Sequence, residues 1–173
     1  ASVLLGKLAL SRGFDVKLSE VHGMSQRGGS VVTHVKIDED GVSSPLIEKG
    51  DADVIIAFEK LEAYRWLPYL REGGTMYVNT QSIVPMPVIL GQAAYPEDIE
   101  GVLEKNAASL KSFDAHKIAE ECGSVKAVNV VLLGAASNSM PFTDEEWYKV
   151  IEENVKPKFV ELNKKAFKLG KEV

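Results

Sequence analysis

The chain has 173 residues, 45% of them hydrophobic and 26% charged, a size and composition that predict one globular domain over 1–173 with a single sizeable core. Its net charge of −5 and pI near 5.3 argue against a general nucleic-acid binder, which needs a basic face to neutralise phosphates. A single cysteine, Cys122, excludes an internal disulfide, and it excludes an iron–sulfur cluster held by this chain alone, since a cluster takes about four thiolates.

The opening stretch ASVLLGKLALSRGF reads as a helix with Val3, Leu4, Leu8 and Leu10 on or near one face and Gly13 as its C-terminal stop. In an open α/β fold such a helix normally follows a strand and a short turn, so an upstream strand and turn are expected to be missing from this sequence. FDVKLSE then has the alternation of a strand, and Ser30 to Ile37 is a stronger one closed by the turn DEDG. Between them lies SEVHGMSQRGGSV, unusually rich in Gly, Met, Gln and Arg for a connection.

Ala52 to Phe58 is a continuous apolar run, the mark of a strand buried on both faces in a parallel sheet. A helix over Glu59 to Leu70 presents Leu61, Tyr64, Leu67 and Leu70 at helical spacing, and a Gly-Gly turn leads into a strand from Thr75 to Asn79. The next segment carries Pro85, Pro87 and Pro96, which disfavour a central strand or helix and predict an extended, exposed arm or loop able to reach a partner.

Beyond the arm, PEDIEGVLEKNA reads as a helix, Ser109 to Asp114 as a short strand, and AHKIAEECG as a helix stopped by Gly123. Lys126 to Met140 is apolar nearly all round and predicts a buried helix, followed by the capped start TDEEWYKVIEENV and a charged helix from Lys158. The apolar run Val128 to Ala136 falls far short of the roughly 20 residues that span a bilayer, and nothing resembles a cleavable signal peptide, so no membrane contact and a cytoplasmic location are expected. Strands separated by helices predict a three-layer αβα sandwich with a mostly parallel sheet.

Chemistry has few places to sit. His22, His34 and His116 show no metal-site spacing, and no metal site is expected. Ser25, His22 and Asp15 lack a nucleophile-elbow pattern, and Asp51 and Asp53 read as turn or cap residues rather than an acid–base pair. RGGS is more informative. Gly28 and Gly29 allow close backbone approach or a positive-φ turn, and Arg27 is able to make a bidentate contact with a carboxylate or phosphate; the plainer alternative is a tight entry into the strand with a solvated arginine. REGGT, just after a helix, reads as a C-terminal stop. Asn79, Thr80 and Gln81 stand at the carboxyl end of a strand, where open parallel sheets bind ligands, and are secondary candidates.

SEVHGMSQRGGSVVTHV, followed by SPLIEKGDADVIIAFEKLEAYRWLPYLREGGTMYVNT, resembles the gamma-type domain of the 2-oxoacid:ferredoxin oxidoreductases, and the wording HGMSQRGG is most similar to the beta subunit of the indolepyruvate type. The resemblance covers essentially the whole chain and is strongest from Ser19 to Thr80. It implies a chain with no catalytic residue or cofactor of its own, active with a larger subunit that carries thiamine diphosphate, magnesium and iron–sulfur clusters. The implied reaction is oxidative decarboxylation of an aryl 2-oxoacid with coenzyme A and ferredoxin; pyruvate or a branched-chain acid is a further substrate possibility. Family members carry a Gly-Gly-Gln-Gly turn after a first strand, which this sequence lacks, in keeping with a missing N-terminal strand and glycine loop. By the same resemblance His22, Gly23, Met24, Ser25, Gln26, Arg27, Gly28 and Gly29 form a loop facing the partner's catalytic centre or the coenzyme A path. The alternative is a stand-alone small-molecule or nucleotide-binding α/β module that keeps the scaffold without the partner.

Overall fold

A computed structural model of the chain describes residues 1–22, 30–107 and 109–173. In chain order the elements are α1 (Ser2–Ser11), β1 (Asp15–His22), β2 (Val31–Asp38), β3 (Ala52–Ala57), α2 (Lys60–Trp66), β4 (Leu70–Asn79), α3 (Met86–Ile89), α4 (Ile99–Asn106), β5 (Ser109–Phe113), α5 (Ala115–Glu121), α6 (Val128–Ser137), α7 (Asp144–Asn154) and α8 (Val160–Lys171). They fall into two compact units, one of Ala1–Glu48 with Pro141–Lys164 and one of Lys49–Met140 with Lys165–Val173.

In the first unit β1 and β2 pair antiparallel from Asp15↔Asp38 to His22↔Val31, a separate two-stranded sheet rather than part of the parallel one. Helix α1 buries Leu4, Leu5, Leu8 and Ala9, while Val3 and Leu10 are exposed, so the apolar stripe lies one position round from the expected face. The inward positions recur as adjacent pairs one turn apart, which is what a helix seated broadly on a sheet requires. Gly6 allows the approach, for a Cβ there would stand 3.3 Å from Leu18 Cδ1. Gly13 ends α1 as expected, at φ +86°, with Phe14 N–H bonding Ala9 O and Gly13 N–H bonding Leu10 O, the paired bonds of a Schellman stop. Helix α7 opens on a capping box, Thr143 N–H to Glu146 and Glu146 N–H to Thr143 Oγ1. Phe14, Phe142 and Trp147 stack edge to face in series, with centroids 6.0 and 5.9 Å apart. His34 is buried in this unit, its Nδ1 accepting Ile47 N–H.

The second unit is the expected three-layer arrangement. Strands β3, β4 and β5 are parallel in that order, and alternate residues point to opposite faces. Ala57, Met76 and Val78 pack with Leu61 and Ala63 of α2 and Ile99 and Leu103 of α4 on one face. Val54, Ile56, Tyr77 and Phe113 pack with Ala135 and Ala136 of α6 on the other. The fold is α/β, as the sequence predicts.

Four local expectations are corrected. Helix α2 stops at Trp66, because Pro68 draws the chain into a 3-10 turn over Leu67–Tyr69; Tyr64 is left exposed and Leu70 begins a strand. The Gly-Gly of REGGT is therefore no helix stop. It lies in an irregularity of β4, where the register passes from Ala52↔Leu70 to Val54↔Thr75, with Gly73 at φ +80° and Arg71 Nε 2.5 Å from Asp53 Oδ1. Asp53 is thus a strand residue in an ion pair. The proline-rich arm is not wholly extended: Pro85 sits ahead of the short helical turn α3, closed at Gly91 with φ +70°.

Candidate functional site

Glu59, Asn79 and His116 of the second unit follow or end strands at the carboxyl end of its parallel sheet, the end at which such sheets bind ligands. Glu59 follows β3 and caps α2, its Oε2 accepting Glu62 N–H at 3.0 Å. Its other oxygen accepts Ile83 N–H at 3.0 Å and the Tyr95 hydroxyl at 3.4 Å. Although Glu59 is a carboxylate, it is buried, and these donors replace the water it gives up. Beside it Lys60 N–H bonds Gln81 O, so both ends of the segment from Gln81 to Tyr95 are tied to the start of α2.

Asn79, the last residue of β4, is 0% exposed. Its Oδ1 accepts Ala115 N–H, and its Nδ2 contacts Phe58 O and His116 Nδ1, all at 3.0 Å. With Thr80 N–H bonding Phe113 O, this single amide laces the ends of all three strands together. The three secondary candidates therefore divide. Asn79 is buried with its side-chain amide fully engaged, Thr80 is half-buried, and Gln81 is exposed with its backbone carbonyl engaged. Sequence reading missed Glu59, Tyr95 and His116 as members of this cluster; an acidic residue between a strand and a helix was the one available signal.

From this same edge emerges the arm. Ile83, Met86, Ile89 and Leu90 are 58%, 61%, 62% and 61% exposed, and Val84 is exposed beside them. From Gly73 through Pro96 the sequence holds no charged residue, in a chain of which 26% is charged. An exposed surface that is both apolar and charge-free has the composition of an interface core.

In the first unit His22 is the exposed final residue of β1, paired with Val31, and Val21 and Val31 are exposed around it. Gly23, Met24, Ser25, Gln26, Arg27, Gly28 and Gly29 lie outside the described residues. Asp15 is engaged elsewhere: Val42 N–H at 2.7 Å, and then Lys17, hold its carboxyl below the usual range. Cys122 is half-buried, and burial raises its thiol pKa, which is the setting of an inert cysteine. Among the described residues no group of three or more His, Cys, Asp or Glu side chains is placed to hold a metal ion, and no helix is long and apolar enough to cross a membrane.

Known proteins carry the same fold and much of the same sequence. The gamma subunit of a keto/oxoacid ferredoxin oxidoreductase from Geobacter sulfurreducens superposes with a TM-score of 0.69 at 23% identity, over 99% of this chain and 87% of that one. A 2-oxoglutarate:ferredoxin oxidoreductase from Magnetococcus marinus, solved with 2-oxoglutarate, coenzyme A and succinyl-CoA bound, contains the fold within a longer chain: TM-score 0.63, 19% identity, 98% of this chain and 27% of that one. In sequence, the indolepyruvate oxidoreductase subunit IorB of Thermococcus kodakarensis is 41% identical over 98% of this chain and 86% of its own length. The family model for pyruvate ferredoxin/flavodoxin oxidoreductase matches residues 1–173, and the chain belongs to that family.

Proposed function

We propose that residues 1–173 form one gamma-type domain, the smaller subunit of a cytoplasmic 2-oxoacid:ferredoxin oxidoreductase of the indolepyruvate type, which works only with a larger subunit. The observation that carries the reading is the arm from Ile83 to Leu90, exposed, apolar and uncharged, and fastened at its base to the buried Glu59. A surface of that kind is stable in water when a partner covers it. The likeness to subunits named for indolepyruvate supports the substrate class.

One cysteine is too few for an iron–sulfur cluster held by this chain alone, and among the described residues no group of three or more His, Cys, Asp or Glu side chains is placed together. We accordingly assign thiamine diphosphate, magnesium and the clusters to the larger subunit, with ferredoxin as electron acceptor. The overall reaction cleaves the bond between the carboxylate and the carbonyl carbon of the 2-oxoacid. Carbon dioxide leaves, the acyl group joins the coenzyme A sulfur, the thiol proton is released and an electron pair passes to ferredoxin. The cofactor supplies the chemistry, and the protein binds, orients and excludes water.

Within that division the segment from His22 to Gly29 is the part of this chain that faces the partner's centre or the coenzyme A path. Arg27 contacts an anion, Gly28 and Gly29 give close approach, and Ser25 and Gln26 add polar contacts. Replacing Arg27 with Ala then lowers turnover or the response to coenzyme A in the assembled enzyme, and unchanged values for both would remove the role.

The reading is tested by purifying the tagged chain from its native host, recording the visible spectrum and assaying ferredoxin reduction with indolepyruvate and coenzyme A. A brown complex with a larger thiamine-dependent subunit and aryl 2-oxoacid activity is expected. A colourless monomer without a partner would overturn it in favour of a stand-alone binding module.

A further inference from the structure

Asn79 and His116 together define a proton position. Ala115 N–H is a donor and nothing else, so the amide atom facing it at 3.0 Å is the oxygen; Phe58 O is an acceptor and nothing else, so the atom facing it at 3.0 Å is the nitrogen. Two independent backbone groups thus fix the orientation of the side-chain amide, and burial at 0% exposure leaves no water to substitute for either. The Asn79 nitrogen has no lone pair to offer. Its contact with His116 Nδ1, 3.0 Å away, is a hydrogen bond only if Nδ1 is the acceptor, and a neutral ring with a bare Nδ1 carries its proton on Nε2.

We propose that Asn79 is a positioning residue that holds His116 as its Nε2–H tautomer, making the half-buried imidazole a fixed donor at the carboxyl edge of the sheet for a phosphate or carbonyl oxygen of coenzyme A. Coenzyme A is the acceptor that suits this placement, since it presents several such oxygens and the carboxyl edge is where this class of sheet meets ligands. The His116 ring has no other hydrogen bond among the described residues, so the Nε2 proton is uncommitted within them. The tautomer stands on this chain's geometry alone, whereas the coenzyme A contact rests on the subunit reading above.

The first test needs no partner. Nitrogen-15 NMR of the full chain at about pH 8, where an ordinary imidazole is neutral, is expected to give His116 a protonated Nε2 and a bare Nδ1. Asn79→Asp, which turns the facing group from donor to acceptor, is expected to move the proton to Nδ1. A wild-type spectrum with the proton on Nδ1 overturns the inference whatever the chain assembles with.

The second test uses the assembled enzyme and reads KM for coenzyme A against kcat. His116→Phe, which has no donor, is expected to raise that KM about tenfold with kcat little changed, the loss of one hydrogen bond worth about 1.4 kcal/mol. His116→Gln, able to take the Asn79 N–H on its oxygen and present its own N–H outward, is expected to restore most of the loss. Equal KM values for wild type and His116→Phe would overturn the coenzyme A contact even with the tautomer as stated, and absence of any complex would overturn the subunit reading without touching the tautomer.

Discussion

The Glu59 carboxylate accepts the backbone N–H of Ile83 at 3.0 Å, so the residue that opens α2 also fixes the root of the arm 24 positions later. Because Tyr95 reaches the same oxygen from the far end of the segment, one carboxylate clasps an excursion of the chain much as a knot closes a loop. Glu59→Gln sets an amide N–H₂ against at least one backbone N–H, Glu62 or Ile83. Leaving a buried donor unpaired costs about 1–3 kcal/mol, and that loss is expected in urea denaturation. Hydrogen exchange at the Ile83 amide is expected to speed up in Glu59→Ala, which removes both acceptor oxygens. A protected Ile83 in that variant would mean the clasp is not what holds the arm.

The arm's exposed face separates binding from stability. Met86 and Ile89 are more than half exposed, so replacing either with Asp is expected to change stability by no more than about 0.5 kcal/mol, the range of ordinary surface substitutions. Association with the larger subunit is expected to weaken at least tenfold, because a carboxylate carried into an apolar contact must be desolvated without a partner. Thermal denaturation of the chain and co-purification of the complex read the two quantities apart. Undiminished assembly would show that the partner covers a different surface.

Elements written in local pattern were legible in the sequence, and relations between distant residues were not. The continuous apolar run of β3, the all-round apolar α6 and the capped start at Thr143 each declare themselves within a dozen neighbours. The stripe of α1 was misplaced by one position because Leu and Ala recur on nearly every side of that helix, and only the packing decides which pair faces inward. The end of α2 was missed because Pro68 was outweighed by a good helical repeat. For the site, position at a strand's carboxyl end drew attention to Asn79 but not to what its side chain touches. Its partners Ala115 and His116 lie 36 and 37 residues away, and no spacing rule reaches that far. The expectation that His22 to Gly29 faces the partner came from resemblance alone, and Gly23 to Gly29 lie outside the described residues.

Two glycines hold α6 and α8 together in a way the sequence conceals. A Cβ on Gly134 would stand 2.1 Å from Phe167 O, and one on Gly170 would stand 2.0 Å from Val131 O, so each helix passes its backbone against a glycine of the other. Since the obstructing atoms are backbone, no rotamer change relieves the clash. Gly134→Ala and Gly170→Ala are each expected to cost about 1–3 kcal/mol or more, although alanine is intrinsically the better helix former by about 1 kcal/mol. Denaturation midpoints for both variants decide it. A gain in stability would mean the helices separate freely at that crossing.

Acid is expected to loosen the first unit through Glu146. Its carboxylate accepts Thr143 N–H at 2.8 Å and is reached by Arg12 Nη1 at 2.7 Å, and these contacts, the backbone bond first, hold its pKa below the ordinary glutamate value. A carboxyl whose pKa is lower folded than unfolded gives stability that is fully present above the unfolded value and is lost as pH falls through the folded one. Wild type and Glu146→Gln are therefore expected to differ most in melting temperature near neutrality and to converge as pH falls below the ordinary glutamate range. Arg12→Ala, which removes the smaller cause and leaves the capping box, is expected to shift that convergence slightly upward in pH. Asp15, held low by Val42 N–H, contributes to the same acid limb, so Glu146→Gln flattens the limb without abolishing it. Parallel melting curves for wild type and Glu146→Gln across that range would place the acid sensitivity elsewhere.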